Sequence, residues 1–129
     1  MTAVPLFGLS VVLLLTGCSQ CENDQLSEAP SPSGKLKAIA FSRNCGATTG
    51  FNVQVSVVPK ESKIGNDSGN ALVADGAKLQ FLSWDGEARV TVGFSGNPRL
   101  FKNVAVQGVT VVTAVPGRSN NSLERSRDQ

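Results

Sequence analysis

Hydrophobic and polar positions alternate with a period of two along most of the chain after residue 34. The clearest run is residues 51–58, FNVQVSVV, and its alternation predicts a strand with four side chains on one face: Phe51, Val53, Val55 and Val57. Residues 35–43, KLKAIAFSR, alternate less regularly, with apolar positions at Leu36, Ile39 and Phe41. This segment is predicted to form the strand that precedes residues 51–58.

Shorter apolar runs predict the remaining strands, at residues 71–74, 78–83, 88–94 and 104–115. Asp85-Gly86 between two alternating runs predicts a tight hairpin, because glycine accepts the positive φ that such a turn requires. Asn97-Pro98 predicts another turn, and Gly108 predicts a bulge or bend. No helical period follows residue 18. The chain is therefore predicted to be all-β: a small antiparallel sandwich, a partly closed barrel or one curved sheet of about six to seven strands.

An uncharged apolar run occupies residues 5–15, PLFGLSVVLLL. As a helix it would be roughly 16 Å long, which is too short to span a bilayer core of about 30 Å. This length is typical of the apolar region of a signal peptide, and the small residues Thr16 and Gly17 follow it. The alternative interpretation is a buried strand or helix, with Cys18 as an ordinary thiol.

The motif Leu15-Thr16-Gly17-Cys18 resembles the lipoprotein signal of bacteria. In that family the cysteine receives a diacylglyceryl group and an amide-linked acyl chain such as palmitate, and becomes the first residue of the mature protein. The resemblance implies that Cys18 is lipidated and holds the protein in the membrane of the cell envelope. Ser19 follows where an Asp would favour inner-membrane retention, so the resemblance implies the periplasmic face of the outer membrane.

Four segments follow from these patterns. Residues 1–17 are predicted to be a lipoprotein signal peptide, and residues 18–34, which are polar and contain Pro30 and Pro32, a lipidated tether. Residues 35–116 are predicted to form the β domain. Residues 117–129 are predicted to be a flexible tail.

Composition excludes several kinds of chemistry. The 129 residues contain no His and no Tyr, which rules out Ser-His-Asp and Cys-His nucleophilic systems and His-ligated zinc. The net charge is only +2, and the C-terminal arginines lack the interleaved aromatic residues of nucleic-acid binders: Arg118, Arg125 and Arg127. We therefore expect no nucleic-acid partner, no cofactor and no metal.

Three cysteines are present, at positions 18, 21 and 45. If Cys18 is lipidated, Cys21 and Cys45 remain as an even pair, and an oxidising envelope favours a disulfide between them. Closing that loop stabilises the fold by roughly 3–4 kcal/mol in the chain-entropy description. Two free thiols, or Cys21 as a second lipid site, are the alternatives.

A second resemblance concerns residues 31–35, SPSGK, residues 43–49, RNCGATT, and Gly69-Asn70 ahead of a short apolar strand ending at Asp75. These segments are similar to a family of small uncharacterised bacterial proteins, and the likeness covers most of residues 31–94. The family has no assigned activity. The resemblance therefore supports a folded domain and implies no reaction.

The densest polar chemistry lies in residues 43–49. One interpretation is a small binding loop, with Arg43 as an anion clamp, backbone N–H groups around Gly46, and the hydroxyls of Thr48 and Thr49 as donors. The other is a simple strand connection in which Gly46 supplies the turn. Residues 65–70, GNDSGN, are rich in oxygen atoms and suit either a calcium contact or a solvated turn. Trp84 is predicted to pack in the core.

The sequence leaves three hypotheses for the function. The favoured hypothesis is a non-catalytic, lipid-anchored protein-binding or structural module whose partners are the membrane and an envelope protein. An inhibitor or a phage or plasmid exclusion lipoprotein would need a protruding loop, at residues 44–50 or 59–70. A hydrolase would need a pocket in which a Ser-Lys pair meets, or in which three carboxylates converge: Asp75, Asp85 and Glu87.

Overall fold

The computed structural model describes residues 21–46 and 50–115. They form six strands: β1 (Glu22–Pro30), β2 (Leu36–Asn44), β3 (Asn52–Pro59), β4 (Leu72–Trp84), β5 (Arg89–Asn103) and β6 (Thr110–Ala114). All six belong to one sheet in chain order, which confirms the prediction of an all-β fold built as a curved sheet. The described parts of the chain hold no helix of the length and hydrophobicity needed to cross a membrane.

The first five strands pair antiparallel, each with the next, whereas β6 pairs parallel with the first residues of β5. The parallel register runs from Arg89↔Thr110 to Gly93↔Ala114. Before β6 the chain makes a tight turn, bridged by Val106 and Val109, in which Gly108 has a φ of 75°. The predicted bend at Gly108 is confirmed, but the strand predicted over residues 104–115 is shortened to β6.

Strands β4 and β5 are long, with 13 and 15 residues, and they bend together. The ladder passes from Asp75↔Arg99 directly to Ala77↔Gly96, so the residues between these pairs form a bulge. Gly76 and Gly96 adopt φ values of 76° and 92°, which residues other than glycine rarely adopt. The turn predicted at Asn97-Pro98 is wrong: both residues lie within β5, at the bulge, where a proline without an N–H breaks no regular ladder bond.

The bend folds the sheet into two arms. The first arm contains β1, β2 and β3 with residues 72–75 and 99–103, and the second contains residues 77–84 and 89–96 with β6. One core cluster takes buried side chains from both arms, including Ala38, Ala40, Val53, Val55, Val57, Leu72, Val90, Val92, Phe94 and Val111. The face predicted for β3 is buried at its three valines. Phe51, the fourth residue of that predicted face, precedes the strand and is exposed.

The opposite face of the first arm is covered by residues 59–71. Ile39 and Phe41 point to that side and are buried there, so β2 is buried on both faces. Asn70 fastens the covering segment to β3, accepting from the backbone N–H of Val57 at 2.8 Å and donating to its C=O at 2.9 Å. Gln54 accepts from the backbone N–H of Gly69 at 2.7 Å. Residues 69 and 70 are thus bonded to β3, and the segment does not form the protruding loop that the inhibitor alternative would need at residues 59–70.

The tether predicted over residues 18–34 is wrong where the structure describes it, because residues 22–30 form β1. This strand pairs with β2 from Glu22↔Asn44 to Pro30↔Lys37, with Leu26 as an extra, bulged residue. Most of its side chains are exposed, so no apolar alternation announces it. Backbone pairing rather than side-chain burial holds the strand, and the first strand begins thirteen residues before the predicted start of the domain at residue 35.

Candidate functional site

The end of the sheet where β1 begins is closed covalently. Cys21 and Cys45 form a disulfide bond, which confirms the predicted pairing and joins the residue before β1 to the residue after β2. Cys18, the predicted lipidation site, lies outside the described residues. We call this end of the molecule the disulfide end.

Arg43 holds the fold together at the disulfide end. Its guanidinium donates to the side-chain oxygen of Asn23 at 3.0 Å and to the backbone C=O of Asn66. Its backbone N–H donates to the side-chain oxygen of Asn52 at 2.8 Å. These bonds favour the strand-connection interpretation, because the predicted anion clamp already has protein acceptors. Thr48 and Thr49 lie outside the described residues.

The oxygen-rich segment 65–70 is likewise committed to internal contacts. The amide of Asn23 donates to the C=O groups of Gly65 at 2.9 Å and Asp67 at 2.7 Å. Beneath the segment lies a cavity of about 200 Å³ with Ile39 and Phe41 among its lining residues. Within residues 21–46 and 50–115 there is no group of three or more His, Cys, Asp or Glu that could hold a metal ion. The solvated-turn interpretation fits this arrangement better than a calcium contact.

The structure does not bring the three candidate carboxylates together. Asp75 lies opposite Asn52 and Arg99 at the disulfide end, whereas Asp85 and Glu87 lie in the β4–β5 hairpin at the other end. Asp85 pairs with Arg89 at 3.7 Å, and Glu87 accepts from the hydroxyl of Ser33 at 3.0 Å. A hydrolytic site built on all three is therefore not formed by this fold.

The hairpin end is where side chains fasten the two arms to each other, and we call it the closed end. Trp84 packs against the core, as predicted, and its indole N–H donates to the C=O of Ala29 in β1 at 2.8 Å. Glu87 binds both the backbone N–H and the hydroxyl of Ser33 in the β1–β2 turn. Two hairpins from different arms are thus joined side by side.

The arms separate again toward the disulfide end and leave an apolar groove of about 550 Å³. Leu26, Phe51 and Phe81 line it and remain 49%, 73% and 44% exposed. Two bulges shape the groove: Leu26 is the extra residue of β1, and Gln80 is the extra residue of β4 next to Phe81. The ring of Phe81 covers Gly93, where an added Cβ would lie 2.1 Å from a ring carbon.

Phe51 stands at the mouth of this groove. Its backbone C=O accepts from the N–H of Gly76 at the bend, at 3.1 Å, and the ammonium of Lys78 lies 5.1 Å from its ring centroid. This distance suits a cation–π contact. Phe51 continues the alternation of β3, which predicts it on the same face as the three valines. The useful signal was its neighbour Gly50, which already marks the end of the preceding loop.

A second apolar surface lies along residues 99–104, at the end of β5, and we call it the outer edge. Leu100, Phe101 and Val104 are 42%, 57% and 50% exposed, and the guanidinium of Arg99 lies 5.1 Å from the ring centroid of Phe101. β6 pairs only with residues 89–93, so no other strand in the described part of the chain covers this edge. Unpaired backbone groups and apolar side chains therefore occur together here.

Comparison with known protein families, with curated proteins and with solved structures finds no match to this chain.

Proposed function

We propose that this protein is a lipid-anchored, non-catalytic module of the bacterial cell envelope that binds a partner protein through its outer edge. Cys18 is the anchor, and residues 1–17 are removed. The sheet that follows acts as a rigid support that presents the outer edge close to the membrane.

The anchoring part of the proposal is supported by the sequence around Cys18. An apolar run too short to span a bilayer ends in Leu15-Thr16-Gly17-Cys18. The disulfide between Cys21 and Cys45 is consistent with an oxidising compartment such as the periplasm, because cytosolic thiols are kept reduced. Ser19 favours the periplasmic face of the outer membrane, by resemblance to other lipoproteins.

The proposal that this protein binds a partner protein depends on the exposed outer edge. An exposed strand edge offers a row of backbone donors and acceptors to an incoming strand, and natural proteins usually protect such edges with charge or proline. Pro98, Arg99 and Lys102 lie along this edge, and Phe101 is a bulged residue of β5. Leu100, Phe101 and Val104 nevertheless leave large apolar surface beside these groups. Exposed apolar groups at an unpaired edge are typical of a surface that is covered by another chain.

The absence of catalysis is part of the proposal and is supported by chemistry that the chain lacks. The sequence has no imidazole to serve as a base near neutral pH. A Ser-Lys mechanism would use a buried lysine with an unsatisfied ammonium. Lys37 is 11% exposed, but its ammonium lies 3.3 Å from the carboxylate of Glu28.

Growth of the source bacterium, or a bacterial host, with a labelled fatty acid tests the anchor. We expect the wild-type chain to incorporate the label and to float with membranes in a density gradient, and Cys18→Ala to do neither. Ser19→Ala, the neighbouring substitution, is the matched control and keeps both properties. A wild-type chain without label refutes the anchoring.

A photo-crosslinking amino acid placed at position 101 tests the binding surface in living cells. We expect one discrete adduct of higher mass at position 101, and loss of that adduct when Leu100 is changed to Glu. The same amino acid at exposed position 61, in the segment on the opposite face, is the control and yields no such adduct. Equal adducts at both positions, or none at 101, would refute the assignment of the outer edge.

A further inference from the structure

We propose that the disulfide end of the sheet rests on the lipid surface, with the ring of Phe51 inserted at the head-group level of the membrane that holds Cys18. This inference depends on the lipidation of Cys18 in the proposed function. It adds a second membrane contact, made by the folded domain itself, and it fixes which end of the domain faces the bilayer.

The reach of the chain limits how far the domain can stand from its anchor. Three peptide steps separate Cys18 from Cys21, and a fully extended chain covers at most about 3.6 Å per residue, or about 11 Å in all. Cys21 is fixed to Cys45 by the disulfide, and β1 begins at the next residue. No free linker therefore lies between the anchor and the sheet, and the disulfide end must stay near the membrane.

Phe51 belongs to the same end of the sheet as the disulfide. Glu22 pairs with Asn44, the residue next to Cys45, and the backbone N–H of Arg43 bonds to the side chain of Asn52. Phe51 is therefore the neighbour of Asn52, whose side chain bonds to the backbone near the end of β2. The closed end lies at the opposite end of β1, eight steps of about 3.3 Å away, or about 26 Å from Glu22.

The chemistry of this tip suits the boundary between water and lipid. Phe51 is 73% exposed, and the ammonium of Lys78 stands over its ring, 5.1 Å from the centroid. Aromatic rings partition to the head-group level, and a neighbouring lysine keeps its charged end in the polar layer. Leu26 and Phe81 line the groove directly behind Phe51 and extend the apolar surface.

Net charge does not drive the contact. The described ionisable side chains around this end balance in sign: Arg43, Lys63, Lys78 and Arg99 against Glu22, Asp24, Asp67 and Asp75. An apolar contact aided by one lysine therefore predicts binding to zwitterionic lipid as well as to anionic lipid. Phosphatidylcholine is accordingly the probe of choice.

Tryptophan quenching by brominated lipid tests the proposal. The full chain, purified from membranes with its lipid, is reconstituted in phosphatidylcholine vesicles with and without bromine near the head-group end of the acyl chains. We expect Phe51→Trp to add emission that brominated lipid quenches. Ala88→Trp, at the exposed tip of the closed end, is the matched control, and its added emission survives. The unsubstituted chain supplies the baseline from Trp84.

The outcomes separate this inference from the proposed function. If the chain floats with vesicles but the emission added by Phe51→Trp is quenched no more than that of Ala88→Trp, the anchor stands and the orientation is refuted. If the chain carries no lipid and does not float, the proposed function fails and this inference fails with it. Selective quenching at position 51 in a floating chain supports both.

Discussion

The closed end and the disulfide end of this sheet are fastened in different ways. At the closed end, hydrogen bonds from Trp84 and Glu87 tie two hairpins of different arms together. At the disulfide end, a covalent bond joins β1 to β2 within a single arm, and the two arms part. The disulfide therefore does not close the gap between the two arms. It secures the edge strand β1 while leaving Leu26 and Phe51 open to a partner outside the domain.

Among substitutions at the two ends, replacing both cysteines of the disulfide end has the largest expected effect on stability. Cys21→Ser with Cys45→Ser should lower the free energy of unfolding by roughly 3–4 kcal/mol, because the unfolded chain regains the entropy of an open loop. Urea unfolding followed by Trp84 fluorescence measures it. The reduced wild-type chain should have the same free energy of unfolding as the double variant. Adding reductant should not change the free energy of unfolding of the double variant. A loss below about 1 kcal/mol would show that β1 is held by its pairing alone.

Truncating the indole at the closed end comes next. Trp84→Ala should cost about 3 kcal/mol, because packing against the core and the bond to Ala29 are lost together. Trp84→Phe keeps most of the packing and should cost about 1 kcal/mol. Circular dichroism during urea unfolding measures both variants without a tryptophan signal. Equal losses for the two variants would contradict the assignment of packing as the larger contribution.

The carboxylate at the closed end has a smaller role. Glu87→Gln keeps one acceptor for Ser33 but removes the charge from two hydrogen bonds, so a loss of less than about 1 kcal/mol is expected at this exposed site. Glu61→Gln changes an exposed glutamate near the same turn that takes no part in the contact between the two hairpins, and it should change nothing measurable. A loss from Glu87→Gln as large as that from Trp84→Ala would mean that the hairpin contact, not the indole, closes this end.

Phe51 should contribute least to stability. Phe51→Ser should change the free energy of unfolding by no more than about 0.5 kcal/mol, because the side chain is 73% exposed and leaves no cavity. Phe94→Ala, the control in the core, should cost about 3–5 kcal/mol. Urea midpoints compare the two. A large loss from Phe51→Ser would place this ring in the fold's own core and remove the reason to assign it to a lipid surface.

Sequence patterns predicted the elements whose own side chains specify them. The alternating valines of β3 and the Asp85-Gly86 turn are read from neighbouring residues, and the structure confirms both. The strand β1 was missed because its polar side chains face water and its bonds go to a strand that follows it in sequence. The parallel pairing of β6 was missed for a related reason: it depends on the bend at Gly76 and Gly96, which brings β5 back toward its own start.

The candidate site was only partly readable in the sequence. The Cys21–Cys45 pair followed from counting thiols, whereas the exposure of Phe51 depends on where β3 meets the bend. Leu100 and Phe101 follow a proline that reads as a turn, so their place on a strand edge could not be seen. Arg43 was chosen for its charge, but its partners come from β1 and from a segment more than twenty residues away.

Intact mass spectrometry of the chain extracted from membranes shows whether Cys18 is lipidated and residues 1–17 are removed. We expect a polypeptide that begins at Cys18, with the mass of a diacylglyceryl group and an acyl chain added, and two hydrogens absent for the Cys21–Cys45 bond. A chain that keeps Met1 and bears no added mass at Cys18 would contradict it.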